Sequence, residues 1–206
     1  MLSLPRRLLP PRLHVAAELV TPGARFADIG CHHALLSIHI ANAGLATAGL
    51  ATKVVAIDRS EASLEDAHAN IARHLLPGRK VETRCGDGLK PLAHGECNEI
   101  TMCGLGISRM IQILAGDLQG VHTFVLQPVA PRVPQLFELR TQLWLRGYCK
   151  QGALFSRPGP LLPDSASRAF GSRSLSRCAT VRGNSPIGRA GFAQSPCPWL
   201  FLVLPR

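Results

Sequence analysis

The fold is decided by a short apolar strand that ends on an acid and a glycine, Arg25-Phe26-Ala27-Asp28-Ile29-Gly30. A second apolar run, 54–57, likewise ends on an acid, Asp58. Helical patterns follow both strands, over 33–43 and over 60–75, and each stops before a glycine or a proline. A strand followed by a helix, repeated along a chain, is typical of a parallel sheet covered on both faces.

The pattern continues to about residue 156. A helix is predicted before the first strand, and the later strands and helices are expected over 80–84, 99–103, 108–114 (opened by Ser108), 123–127, 133–146 and 149–155. No partner is evident for the last of these strands. The sequence therefore predicts an α/β, doubly wound domain over residues 13–156.

The two ends of the chain have a different composition. The 206 residues carry a formal charge of +10, yet residues 14–150 contain 13 basic and 12 acidic side chains. Residues 151–206 hold 7 Pro, 6 Gly and 8 Ser without apolar periodicity. We expect a basic extension over 1–12 and an irregular, disordered basic tail over 157–206, which ends in a small apolar patch over 198–204 that can dock on the folded body. The net charge is therefore no evidence of a basic, nucleic-acid-binding domain.

The cysteines, histidines and apolar runs exclude several classes of protein. Seven widely spaced cysteines without a Cys-x-x-Cys pair favour a reducing compartment, and we expect a cytoplasmic location, with an organelle as the alternative. The sequence contains no run of eighteen apolar residues, so no membrane span is predicted. Cys31, His32 and His33 are adjacent, so their side chains diverge and cannot bind one ion together with His39. No second Cys/His cluster supplies further ligands, so no metal is expected.

Residues that follow strands are the candidates for a ligand site, because ligands of open parallel sheets bind beyond the carboxyl ends of the strands. These positions hold Asp28 with Gly30, Asp58, the stretch Gly86-Asp87-Gly88, and Cys103-Gly104. An acid after the second strand typically accepts both ribose hydroxyls, and an acid on a glycine-flanked turn can accept from an adenine amine. Together they predict an adenosine-containing cofactor, although each alone could be only a turn former.

The first turn narrows the choice of cofactor. A dinucleotide site needs Gly-x-Gly-x-x-Gly to admit a pyrophosphate at the helix start. Here the turn is Gly30-Cys31-His32-His33-Ala34, with one glycine and no Walker pattern. An adenosine ligand without phosphates is favoured, and S-adenosylmethionine is the common one.

Several blocks carry a more specific likeness. They are Arg12 to Leu19, Ala27-Asp28-Ile29-Gly30-Cys31-His32-His33-Ala34-Leu35-Leu36, Gly86-Asp87-Gly88-Leu89, Thr101-Met102-Cys103-Gly104-Leu105-Gly106, Leu126-Gln127-Pro128 and Trp144 to Tyr148. Through them, residues 9–150 resemble the bacterial-type tRNA (adenine-N1)-methyltransferases, which modify the D-arm region of tRNA. The resemblance implies a Rossmann-like class I methyltransferase domain, S-adenosylmethionine as cofactor and tRNA as partner; no oligomeric state is predicted.

The resemblance also implies roles for the residues of the site. His32 takes the position of a family carboxylate that would orient the target base, and is the candidate catalytic residue; its alternative is a plain loop residue. A neutral imidazole can accept a hydrogen bond there, whereas an imidazolium would oppose formation of a cationic product. The candidate cofactor-binding residues are Asp28, Gly30, Cys31, His33, Asp58, Arg59, Gly86, Asp87, Gly88, Cys103 and Gly104.

Three departures from the family pattern keep a second hypothesis open. His32 replaces an acid, Ile107 replaces a glycine, and the tail stands where the family has a coiled-coil extension. The alternative function is therefore a catalytically inactive, methyltransferase-like RNA-binding or scaffold protein.

Overall fold

The computed structural model describes residues 9–43, 51–148, 152–156 and 199–205. These residues form five α-helices and seven strands. The helices are α1 (Pro11–Glu18), α2 (Leu35–Ala43), α3 (Glu61–His74), α4 (Ile107–Ala115) and α5 (Val133–Leu145). The strands are β1 (Ala24–Ile29), β2 (Ala51–Asp58), β3 (Glu82–Cys85), β4 (Glu99–Gly106), β5 (Thr123–Val129), β6 (Gly152–Ser156) and β7 (Trp199–Pro205).

The strands form one sheet in the order β3-β2-β1-β4-β5-β7-β6. The first five are parallel, and β7 runs antiparallel to both β5 and β6. The chain moves outward from β1 to β3 and then returns to β4 on the other side of β1. This reversal is the point at which open α/β sheets bind their ligands, and the predicted doubly wound α/β fold is confirmed.

Helices cover both faces of the sheet. On one face, Ala16 of α1 and Leu36 of α2 are buried in a cluster with Phe26 of β1. On the other face, Met110 of α4 and Leu139 of α5 belong to a second buried cluster. Successive residues of β1 contribute to opposite clusters, as expected for a strand buried on both sides. The two clusters hold the carboxyl ends of the central strands in fixed register.

The start of α4 differs from the sequence prediction. Strand β4 continues to Gly106, and α4 begins at Ile107 with Gly106 as its N-cap, so the prediction that Ser108 opens this helix is wrong. The chain passes directly from strand to helix because the extended backbone of Gly106 serves as the cap without a side chain. The Ser108 hydroxyl instead accepts a hydrogen bond from Gln135 Nε2 of α5, 3.1 Å away.

At the end of the predicted tail, the apolar patch that was expected only to dock on the body forms a strand of the sheet instead. Trp199–Pro205 is strand β7, which lies between β5 and β6. Its register places Leu202 beside Leu126 of β5 and beside Ala153 of β6. The hairpin was missed because residues 157–198 separate its strands, whereas most hairpin loops have two to five residues.

Most of the two predicted terminal segments cannot be compared with the structure. Residues 1–8 and 157–198, which make up most of the predicted basic ends, lie outside the described residues. Across the helices that the structure describes, none combines the length and the apolar character that crossing a bilayer requires.

Candidate cofactor site

A cavity of about 700 Å³ opens at the carboxyl edge of the sheet, where β1 and β4 separate. Its size is in the range of small-molecule sites. The structure brings all twelve residues predicted for the site to its wall: Asp28, Gly30, Cys31, His32, His33, Asp58, Arg59, Gly86, Asp87, Gly88, Cys103 and Gly104. The location of these residues is thus established by the fold, while their individual roles stay predictions.

Asp28 lies at the floor of the cavity and is 4% exposed. Its carboxylate accepts hydrogen bonds from Thr101 Oγ1 at 3.0 Å and from Ser37 Oγ at 3.1 Å. Burial raises the pKa of Asp28 from 3.8 to about 6, because removal from water outweighs both hydroxyl donors, and the charge of Asp58 raises it further. Asp28 is therefore a buried acid that ionises just below neutral pH.

The turn after β1 requires a glycine. Gly30 has a φ of +74°, and a Cβ built on it would lie 3.1 Å from a methyl carbon of Leu105. The amides of Gly30 and Cys31 both donate to the carbonyl of Ile57, at 2.8 and 3.1 Å. Glycine allows the left-handed backbone that turns the chain across the cavity, and the shared carbonyl ties this turn to β2.

Asp58, the last residue of β2, binds the backbone amides of two neighbouring segments. Asp58 Oδ2 accepts the backbone N–H of His32 at 3.0 Å, and Oδ1 accepts that of Ser60 at 3.0 Å. The carbonyl of Asp58 accepts the amide of Gly86 at 2.9 Å. Because a carboxylate has about four acceptor sites, Asp58 can bind further donors in the cavity while it keeps both amides.

His32 and His33 are exposed at the mouth of the cavity. His32 has a φ of +50°, which is uncommon for a residue with a side chain, and the hydrogen bond that its backbone N–H donates to Asp58 stabilises this conformation. The two rings meet edge to face with centroids 3.8 Å apart. His33 Nδ1 lies 3.4 Å from Asp66 Oδ2. The imidazole of His32 is thus placed where it can meet a substrate that enters from solvent.

Asp87 is paired rather than free. Arg109 of α4 forms an ion pair with Asp87 Oδ1, and Lys90 Nζ lies 3.7 Å from Oδ2. Arg109 lines the cavity but was not predicted, because nothing in the pattern of α4 distinguishes it from a solvent-facing helix residue. A ligand amine that binds Asp87 must share the carboxylate with this guanidinium.

The opposite wall of the cavity holds a second unpredicted cation. Arg12 Nη1 of α1 donates to Gln127 Oε1 of β5 at 3.3 Å. Gly104 has a φ of +80°, and a Cβ there would lie 2.8 Å from the same nitrogen. Both Arg12 and Gln127 lie in the blocks that carry the family resemblance, which was the signal available for finding them. Their 115-residue separation gives no local pattern.

The two cysteines of the cavity are uncharged thiols. Burial raises the pKa of both Cys31 and Cys103, and the nearby charge of Asp28 raises it further. A thiol in this state is a poor nucleophile. The chemistry of the cavity therefore depends on its carboxylates, imidazoles and guanidinium groups.

Two further predictions concern residues near the cavity. Ile107, one of the departures from the family pattern, is 4% exposed in the cluster under α4 and α5 and does not line the cavity. Arg59 lines the cavity beside Asp58 and is exposed. Within the described ranges, no group of three or more His, Cys, Asp and Glu side chains is arranged to hold a metal ion.

The fold and the cavity together define a Rossmann-like, doubly wound α/β protein with a ligand site at the switch point of its sheet. The family comparison is more specific. The model of the methyltransferase domain family matches residues 9–149, and the chain belongs to this family.

Individual relatives extend the comparison. The tRNA (adenine(22)-N(1))-methyltransferase of Bacillus subtilis (strain 168) is 28% identical over 123 residues, which are 58% of this chain and 49% of the relative. The chain thus spans about half the length of this relative.

Solved structures share the fold at lower identity. A putative tRNA (m1A22) methyltransferase of Streptococcus pneumoniae, in complex with S-adenosyl-L-methionine, has a TM-score of 0.64 at 20% identity, covering 96% of this chain and 73% of that one. TrmK of M. capricolum, in complex with S-adenosyl-homocysteine, has a TM-score of 0.62 at 19% identity, covering 96% and 69%. At these identities the likeness establishes the fold.

Proposed function

We propose that this protein is an S-adenosylmethionine-dependent methyltransferase that methylates N1 of an adenine in tRNA. One observation carries the proposal: the acids and glycines that follow the parallel strands line a single cavity of about 700 Å³. The tRNA methyltransferase of Bacillus subtilis, similar over 123 residues, supports the choice of substrate. The proposed partner is tRNA; a cytoplasmic location rests on the cysteine pattern alone.

The residues of the cavity fit this cofactor. Three carboxylates, those of Asp28, Asp58 and Asp87, line the wall, and the first turn has a single glycine. This set suits a cationic amino acid, a ribose and an adenine amine, and it would repel the phosphates of a dinucleotide. We assign the ribose hydroxyls to Asp58, the amino group to Asp28 and the adenine amine to Asp87.

The fold positions these acceptors before the cofactor arrives. The amides of His32 and Ser60 fix the Asp58 carboxylate, and the hydroxyls of Ser37 and Thr101 fix that of Asp28. S-adenosylmethionine, when bound, supplies an electrophilic methyl group on a sulfonium. Because the acceptors are already oriented, little conformational entropy is lost on binding.

The transfer itself needs mainly positioning. The N1–methyl bond would form in line as the methyl–sulfur bond breaks, with S-adenosylhomocysteine as the leaving group and a cationic adenine as the product; the base must first leave the folded tRNA to reach the cavity. His32, exposed at the mouth, accepts a hydrogen bond from the 6-amino group when its imidazole is neutral. Since Cys31 and Cys103 are uncharged thiols, the residues of the cavity favour direct transfer rather than transfer through a cysteine.

Calorimetry followed by a transfer assay tests the proposal. We expect the full chain to bind S-adenosylmethionine and to transfer labelled methyl groups to an unmodified tRNA transcript. Transcripts with single adenines replaced should locate the acceptor. No binding heat and no transfer would contradict the proposal; binding without transfer to any tRNA would leave the inactive hypothesis in its place.

A further inference from the structure

Helix α5 presents an unusual outer surface. Val133, Phe137, Arg140 and Trp144 are spaced by four, three and four residues, which places them on one face of the helix. All four are exposed, with 64% of Phe137 and 68% of Trp144 accessible. We call these four residues the α5 face. Two large aromatic rings in solvent on one helix face are a feature that core packing does not explain.

Helix α5 begins at the edge of the sheet where the cavity opens. Gln135, in the first turn of α5, donates to the Ser108 hydroxyl in the first turn of α4. Gly106, the N-cap of α4, lines the cavity. The first turn of α5 therefore lies at the same edge of the sheet as the cavity, and Trp144 lies about 16 Å farther along the helix axis than Val133 at 1.5 Å per residue.

The charge around the face favours a polyanion. Residues 129–148 contain three arginines, Arg132, Arg140 and Arg146, against one acid, Glu138. Arg146 binds the carbonyls at the end of α4, while the side chain of Arg140 is exposed between the two rings. Exposed aromatic rings with an arginine between them are the elements that bind unpaired bases by stacking and their phosphates by charge.

We propose that the α5 face docks unpaired nucleotides of the RNA that flank the target adenine, with Phe137 and Trp144 stacking on bases and Arg140 contacting a phosphate. This inference rests on the proposed function, because a base that enters the cavity brings its neighbours along the carboxyl edge of the sheet, where α5 begins. The face is long enough for a few nucleotides and reads no sequence by itself, since every base has a stacking surface.

The experiment measures tRNA affinity of the full chain by filter binding, with sedimentation and S-adenosylmethionine calorimetry on each variant. The main variant, Phe137→Leu/Trp144→Leu, keeps apolar side chains with good helix propensity and removes both rings. Its matched control, Phe137→Tyr/Trp144→Tyr, keeps a ring at each position. Leu145→Ala is a second control, because Leu145 is 71% exposed but lies about 120° around α5 from the α5 face.

We expect the leucine variant to bind tRNA at least about ten-fold more weakly, as the loss of two stacked bases implies. The tyrosine and Leu145→Ala variants should bind within about two-fold of the wild type, and S-adenosylmethionine affinity should not change in any of them. Arg140→Gln should lower the slope of log affinity against log salt by about 0.7 to 0.9, as for one phosphate contact. Arg73→Gln, which removes an exposed charge on α3, should leave this slope unchanged.

Equal tRNA affinity of the leucine variant and the wild type would overturn the proposal. A change in sedimentation mass without a change in tRNA affinity would overturn it too, and would assign the α5 face to a second copy of the chain. If the wild type methylates tRNA in either case, only the docking face is wrong. If the wild type binds neither tRNA nor S-adenosylmethionine, the proposed function fails with it.

Discussion

The ends of β1 and β2 place the same residue type at the same edge of the sheet in two different environments. Asp28 is 4% exposed and held by two side-chain hydroxyls, and burial raises its pKa to about 6. Asp58 is half-buried and held by two backbone amides. Position after a strand therefore predicts where an acid lies, whereas its surroundings decide its protonation and its partners.

The largest expected effect on cofactor affinity is at Asp58. We predict that Asp58→Ala weakens S-adenosylmethionine binding by about 100-fold, because it removes charge-assisted hydrogen bonds to the ribose and releases the amides of His32 and Ser60. Calorimetry measures the change. Glu65→Ala, which removes one exposed acid on α3, is the control. An Asp58→Ala affinity within two-fold of the wild type would contradict the assignment of the ribose hydroxyls to Asp58.

At Asp28 the largest effect should be on stability. The folded pKa of about 6 exceeds the unfolded value of 3.8, so the stabilising protonated form is fully present below pH 4 and is lost as the pH rises through 6. We predict that Asp28→Asn raises the free energy of unfolding by about 3 kcal/mol at pH 7.5, with the difference disappearing near pH 4. Urea unfolding at both pH values measures it. A less stable Asn variant at pH 7.5 would contradict this assignment.

The pH dependence of S-adenosylmethionine binding should distinguish the contribution of Asp28 from that of Asp58. Protonation of Asp28 removes the charge that we assign to the cofactor amino group. With a pKa of about 6, S-adenosylmethionine affinity should fall about ten-fold between pH 7.5 and 5. Asp28→Asn should bind more weakly at pH 7.5 and show a flat profile. Parallel profiles for the wild type and the Asn variant would show that another group titrates.

The smallest expected effect is at His32. We predict that His32→Asp speeds methyl transfer by about three- to ten-fold, because a carboxylate stabilises the positive charge that develops on the adenine. Asp and Asn both tolerate the positive φ of this position, so His32→Asn serves as the uncharged control. Single-turnover rates at saturating cofactor measure the effect. Equal rates for both variants would assign His32 to the loop alone.

Much of this cavity could be predicted from the sequence, because the carboxyl ends of parallel strands meet at one edge. Arg12 and Gln127 could not, since their contact joins residues 115 apart. Arg109 sits inside a helix pattern that gives it no distinction, and the pairing of Asp87 with it depends on side-chain geometry. The raised pKa of Asp28 depends on its burial and on residues from four other elements, α1, α2, β2 and β4. The pairing of β7 with β5 and β6 could not be predicted either, because residues 157–198 separate β7 from β6 in the sequence.

Mass spectrometry of nucleosides tests the central proposal most directly. Unmodified tRNA is incubated with the full chain and S-adenosylmethionine, digested, and compared with a parallel Asp58→Ala reaction. We predict 1-methyladenosine from the wild type and a strongly reduced yield from the variant. The absence of 1-methyladenosine from a wild-type reaction, with S-adenosylmethionine bound, would contradict the proposed activity and favour a methyltransferase-like RNA-binding protein.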